Sequence, residues 1–226
     1  GNGYTLWTSP DESLPLEARL IFDTGQRKEG FLSLYLYHEG QMIYHFNFRF
    51  DYNVDGTPSV YIGTIQGSKH GLETTKVLTK KLFGYRPKNF ILYLMRIFVQ
   101  TLGIHDIYVI TDEGFYTNSH MLRGNRSKKT NFNEFWIGEG AAPDGKEPWY
   151  YHLPIEERRR KYGEIKSQKR NLFRKRYLLM DTIIPPYIAA IKALFRQGFD
   201  PVPSAIDEAS ITDKPADYDP IEAPAK

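Results

Sequence analysis

The chain has no cysteine among its 226 residues, which excludes a disulfide framework, a thiolate-bound zinc or iron–sulfur centre, and a thiol nucleophile. Long apolar runs are scarce as well. The longest uncharged stretch near the C-terminus, Thr182 to Ile191, is bounded by Asp181 and Lys192 and contains Pro185 and Pro186; it is about half of the ~20 residues that span a bilayer. Gly1 to Pro10 show no initiator Met and no basic-then-apolar leader pattern. The histidines are scattered through the chain, with no second one at metal-ligand spacing from His120, so no metal site is expected. Aromatics, by contrast, are abundant: 16 Tyr, 14 Phe and 3 Trp make 15% of the chain, a supply of flat amphipathic side chains suited to sheet faces and to binding surfaces.

With 41% hydrophobic and 25% charged residues, the composition is that of one large globular domain with appendages. The net charge of +3 hides an asymmetry. Glu156 to Arg176 holds ten Lys or Arg against three Glu, and Asp207 to Lys226 holds six acids against two bases. A single domain over residues 1–198 is expected, followed by a Pro- and Asp-rich tail at 199–226 too polar to fold.

Period-two alternation dominates the first third and predicts strands at Leu16–Phe22, Phe31–Tyr37, Met42–Phe50 and Val60–Ile65. In the third of these Met42, Tyr44, Phe46, Phe48 and Phe50 face one way and Ile43, His45, Asn47 and Arg49 the other, so one face is expected to be buried and the other at least partly wet. The period then changes. Leu72–Phe83 reads as a helix stopped by Gly84, and Pro87 opens a second one ending near Gly103. Ile104–Ile110 follows as a strand, so strand, helical crossover and strand imply a parallel pair within a mixed, mainly antiparallel sheet: an α+β fold. Thr111 to Pro148 reads as a long loop, and Trp149–Leu153 as a returning strand. A long basic helix is expected from Ile155 to Ile184, broken by Pro185 and Pro186.

Three groups of residues could carry chemistry. A glycine-rich turn, Gln66 and Gly67 through Lys69, His70 and Gly71, sits between strand and helix. Its glycines serve either to supply positive φ or to expose N–H groups to an anion. Lys88 and Arg86, the latter restricted by Pro87, crowd the same neighbourhood as a solvated face or as an anion site. Lys166, Arg170 and Arg174 recur every four residues with Lys169 beside them, a basic column that Tyr177 extends towards the apolar run Leu178–Ile184. Asp112 and His120 lie beyond the predicted parallel strand, where a proton acceptor is commonly placed. Glu134 and Glu139 flank Trp136 as a carboxylate pair or as plain surface acids.

At these residues the chain resembles a known family. Lys28-Glu-Gly-Phe-Leu-Ser-Leu34, Tyr61-Ile-Gly-Thr-Ile-Gln-Gly67, Gly84-Tyr-Arg-Pro-Lys88, His120, Phe135-Trp136, Leu153-Pro154 and Ser167-Gln-Lys-Arg-Asn-Leu-Phe-Arg-Lys-Arg-Tyr177, in that order, are similar to the VirK/YbjX family of Gram-negative bacteria. The match runs from about Gly30 to Ile184. The resemblance implies a role in virulence, in display of an outer-membrane virulence protein, and in tolerance of antimicrobial peptides or altered lipid A, with no agreed reaction. Its element order is also similar to a GNAT-type acyltransferase core, in which the acyl carrier's pyrophosphate rests on the turn after the fourth strand, here Gln66 to Gly71.

The expectation is therefore a cytoplasmic accessory protein of envelope or virulence homeostasis, in peripheral contact with the inner membrane. Gln66, Gly67, Lys69, His70, Arg86 and Lys88 would bind an anionic small molecule or lipid headgroup, and Lys166, Lys169, Arg170 and Arg174 would form an outer basic patch. No cofactor is required by that reading. The alternative is a GNAT-like acyl- or aminoacyl-transferase using acyl-CoA, with His120 or Asp112 as proton acceptor. Nucleic-acid binding through the basic helix ranks third.

Overall fold

A computed structural model describes residues 3–23, 30–69, 71–115 and 131–196. Seven strands form one sheet in sequence order: β1 (Tyr4–Thr8), β2 (Leu16–Phe22), β3 (Leu32–His38), β4 (Gln41–Tyr52), β5 (Pro58–Gly67), β6 (Asp106–Ile110) and β7 (Tyr150–Leu153). All neighbours are antiparallel except β5 and β6, which are parallel. Two helices make that crossover, α1 (Leu72–Lys81) and α2 (Pro87–Thr101). The expected α+β class with a mixed, mainly antiparallel sheet is therefore the observed one. The edge strand β1 and the short helix α3 (Phe132–Gly138) were not anticipated. The tail expected at 199–226 lies outside the described residues.

Two irregularities decide which side chains reach the core. Leu36 pairs with Tyr44 and Tyr37 with Met42, so Ile43 is the extra residue of β4, and it joins the core although alternation puts it opposite Phe46. Asn47 pairs with Thr64 but Phe48 with Ile62, leaving Gly63 as the extra residue of β5. That bulge lets Val60, Ile62 and Ile65 all join the core, while Thr64 stays level with Asn47. α2 crosses this apolar face: Phe98 meets Phe48 edge-on at 5.8 Å and Phe90 meets Trp7 at 5.9 Å.

The opposite face is polar and mixed in burial: it is partly wet at Arg49, Tyr35 and Tyr37, as expected, and enclosed at His45 and Asn47. Tyr35 stacks on His45 at 4.8 Å, and Asn47 donates to Ser33 at 2.5 Å. His45 and Asn47 are both buried. Farther along, Arg49 lies over the Tyr61 ring at 4.4 Å and donates to the Tyr150 hydroxyl.

The C-terminal helix differs most from expectation. α4 (Ser167–Arg196) starts twelve residues later than predicted at Ile155 and runs straight through Pro185 and Pro186. Proline removes a helical N–H and crowds the carbonyl one turn back. Here both prolines are exposed, on the side where the freed carbonyls of Asp181 and Thr182 reach water. On the inner side Met180, Ile183, Tyr187 and Ile191 are buried at spacings of three and four, packing against β1 and α2. That packing holds the helix together across a pair of residues that would break it in isolation.

Candidate functional site

α4 presents two kinds of surface along one side. Arg170, Arg174, Leu178, Thr182, Pro185, Ala189 and Ala193 recur at spacings of three or four and are all exposed, Leu178 at 64%. The basic column therefore continues into Leu178 rather than into Tyr177, which is half-buried, meets Phe173 edge-on and accepts from the Arg160 N–H. Lys166 and Lys169 are exposed near the start of the helix and form no ion pair with an acid among the described residues. Arg170 donates to the carbonyls of Tyr162 and Ile165, closing the turn that precedes α4, and Arg174 donates to Asn171. Arg176 is built in. It donates twice to the Phe83 carbonyl, at 3.1 and 2.9 Å, and lies over the Phe173 ring, and burial lowers its pKa.

The other predicted residues lie in different surroundings. Gln66, Gly67 and Lys69 are exposed. Lys69 lines a groove of about 600 Å³ between the β3–β4 turn and α1, which Glu39 and Glu73 also line and in which Lys81 is turned to the Ser13 carbonyl. A Cβ at Gly71, the residue before α1, would meet the Ser68 hydroxyl at 2.2 Å, a contact that rotation of the serine side chain can relieve. Arg86 is exposed at the mouth of α2. Lys88 leans away over the Phe135 ring at 3.7 Å, and burial pulls its pKa down to about 8. No hydrogen bond, ion pair or ring contact among the described residues joins Lys69 to Arg86 or Lys88. His70 and His120 lie outside the described residues. Asp112 accepts the Phe132 N–H at 2.8 Å, fastening the start of α3 to the end of β6.

Two polar clusters went unnoticed in the sequence. One is on the second face of the sheet, where, among the described residues, neither nitrogen of His45 makes a hydrogen bond and the side-chain oxygens of Asn47 and Thr64 are likewise buried without a partner. Burial lowers the His45 pKa. The other is a cleft of about 920 Å³ between α3 and the chain after β7. Its floor is Arg96 of α2, only 2% exposed, which donates to the carbonyls of Pro154 and Glu139 at 3.1 and 3.0 Å and to the Glu139 carboxylate at 3.4 Å. Asn89 satisfies the other Glu139 oxygen. Glu157 reaches the same cleft, and burial raises its pKa. An arginine in the middle of an apolar helix and a glutamate in a basic run each look like noise to a reading by composition. Only the shared cleft connects them.

The family comparison covers most of the chain. Residues 1–186 match the family described as "Protein of unknown function (DUF535)". A relative from Escherichia coli (strain K12), "Uncharacterized protein YbjX", is 29% identical over 133 residues, which is 58% of this chain and 40% of that protein. An "Uncharacterized protein" from Haemophilus influenzae is 28% identical over 186 residues, 79% of this chain and 60% of the relative. The chain thus matches less than two thirds of the length of each relative. By the extent of the match, and in agreement with the motifs around Gly84–Lys88, Phe135-Trp136 and Ser167–Tyr177, this chain belongs to the DUF535 family, the family of YbjX and VirK.

Proposed function

We propose that the protein is a VirK/YbjX-type accessory protein of envelope or virulence homeostasis that binds an anionic lipid surface through α4, at the cytoplasmic side of the inner membrane. One observation carries this reading: exposed cations and exposed apolar side chains share one side of a single helix. Arg170 and Arg174 stand at its start, with Lys166 just before it and Lys169 beside them, and Leu178, Pro185 and Ala189 continue the row. Near an anionic membrane each such cation contributes roughly 1 kcal/mol, so four contribute about 4 kcal/mol, enough for reversible attachment when apolar residues dip below the headgroups. Ser167–Leu194 is also long and apolar enough to cross a membrane by length and composition. Its buried inner row of Met180, Ile183, Tyr187 and Ile191 supports docking along the surface instead, because that row is already covered by the domain.

Flotation with vesicles containing phosphatidylglycerol, against pure phosphatidylcholine, tests this. Binding to the anionic vesicles alone is expected, weakening steeply with salt, and lost when Lys166, Lys169, Arg170 and Arg174 are all changed to Glu. Equal binding by that variant, or stronger retention of duplex DNA at matched salt, would overturn the reading.

A second reading, acyl transfer on a GNAT-like core, draws support from the parallel pair. β5 and β6 pair only from Ser59–Ile62 against Asp106–Val109, after which β5 runs on to Gly67 without β6. Strands that part at their C-terminal ends leave backbone groups free for a ligand. Titration calorimetry with acetyl-CoA decides, and the absence of heat would remove this reading.

A further inference from the structure

The cleft over Arg96 supports a conclusion separate from the α4 surface. Its floor is internally complete: Arg96 is satisfied by Pro154 and Glu139, and both oxygens of Glu139 are taken, by Asn89 and Arg96. What the cleft leaves open has two signs. Oε2 of Glu157 is buried and accepts no hydrogen bond among the described residues, the neighbouring Tyr85 hydroxyl being donated to the Asn89 carbonyl, whereas buried carboxylate oxygens are ordinarily satisfied. Arg158 and Arg160, which line the same cleft, are exposed and form no ion pair among the described residues. Glu156 and Glu164 stand at the rim in water. The volume, about 920 Å³, falls within the roughly 300–1,000 Å³ of small-molecule sites.

We propose that this cleft binds a small zwitterion, its primary ammonium hydrogen-bonded to Glu157 and its carboxylate or phosphate held by Arg158 and Arg160. An ammonium brings the donor that the buried oxygen lacks, and the two arginines suit an anion held by paired hydrogen bonds. A ligand with only one charge leaves one side of the cleft unanswered, so discrimination resides in the pair. Burial favours the neutral acid of Glu157 in the empty cleft, with Tyr85 alongside and the charges of Glu139, Arg96 and Arg159 nearby. Ammonium binding favours the carboxylate. Affinity therefore increases as pH rises through the Glu157 titration, until the ligand's own ammonium deprotonates.

Calorimetry with the intact chain tests this, using alanyl-alanine, its N-acetyl derivative, its methyl ester and phosphoethanolamine. The two zwitterions are expected to bind at least tenfold more tightly than the two singly charged controls. Glu157→Gln should lose at least tenfold for the zwitterions and abolish the pH dependence. Arg158→Ala with Arg160→Ala should lose a similar factor while the far-ultraviolet circular dichroism is unchanged. Phosphatidylethanolamine vesicles competing with phosphoethanolamine would identify a lipid headgroup as the source, and no competition a free solute. The α4 variant with four charge reversals should bind the zwitterions normally, so failure of the lipid-surface reading does not affect this one. Equal affinity for charged-pair and N-acetyl ligands, no binding of any of the four, or undiminished binding by Glu157→Gln would overturn it.

Discussion

Arg96 and Arg174 are the same residue type on two helices of one domain, and they obey opposite rules. Arg96 is 2% exposed and engaged by two carbonyls and a carboxylate, while Arg174 is exposed and donates to Asn171. A buried ion pair is costly to break because the partner is left charged in a low-dielectric surround. An exposed cation contributes little to folding and stays free to meet a ligand. In the cleft, charge organises structure; on α4, structure displays charge.

The sharpest way to break this comparison is Arg96→Met. It should destabilise the fold by about 3–5 kcal/mol in urea unfolding, because Glu139 and the Pro154 carbonyl lose their donor. A loss below about 1 kcal/mol would mean that the cleft floor is not held by this arginine. Next come the two prolines of α4. Pro185→Ala and Pro186→Ala are each expected to raise stability, by about 1–3 kcal/mol on helix-propensity grounds, measured as thermal midpoints. Destabilisation instead would mean that the prolines themselves help fit the helix to β1. At the exposed end, Arg174→Ala should change unfolding by less than about 0.5 kcal/mol.

Two titrations sharpen the same contrast with smaller effects. The folded state holds the Glu157 proton to higher pH than the unfolded chain, so stability falls as pH rises from the ordinary carboxyl range through the raised folded value. Glu157→Gln should flatten that slope in pH-dependent unfolding. Lys88 should titrate with a midpoint near 8, as seen by NMR of methylated lysines. A midpoint near 10 would show that Lys88 is not enclosed against Phe135.

Local sequence carried much of the fold. Alternation marked β2 to β5 within a residue or two, and Pro87 and Gly103 bracketed α2, because burial of one face imposes a period on the residues that line it. Where the rule failed, the reason was non-local. The bulges at Ile43 and Gly63 shift the phase of alternation, and nothing in those segments announces them. Asn131 caps α3 by accepting the Glu134 N–H, and Asn133 accepts the Asp112 N–H, yet a stretch rich in Asn, Ser and Gly reads as loop. The basic residues of α4 were legible as a column; whether they were free or committed was not. Arg176 was bound to Phe83 while Lys166 was left in water.

By itself the sequence determined what rests on composition and period: the α+β class, the absence of thiol chemistry, the crossover that forces a parallel pair, and the family. The tertiary structure alone decided that α4 passes through two prolines, that His45 and Asn47 are enclosed, and that Arg96, Glu139 and Glu157 share a cleft. Those outcomes depend on which surfaces separate segments of chain turn towards one another, and the energy of a proline, a charge or an unpaired oxygen is set by the neighbours that burial brings to it.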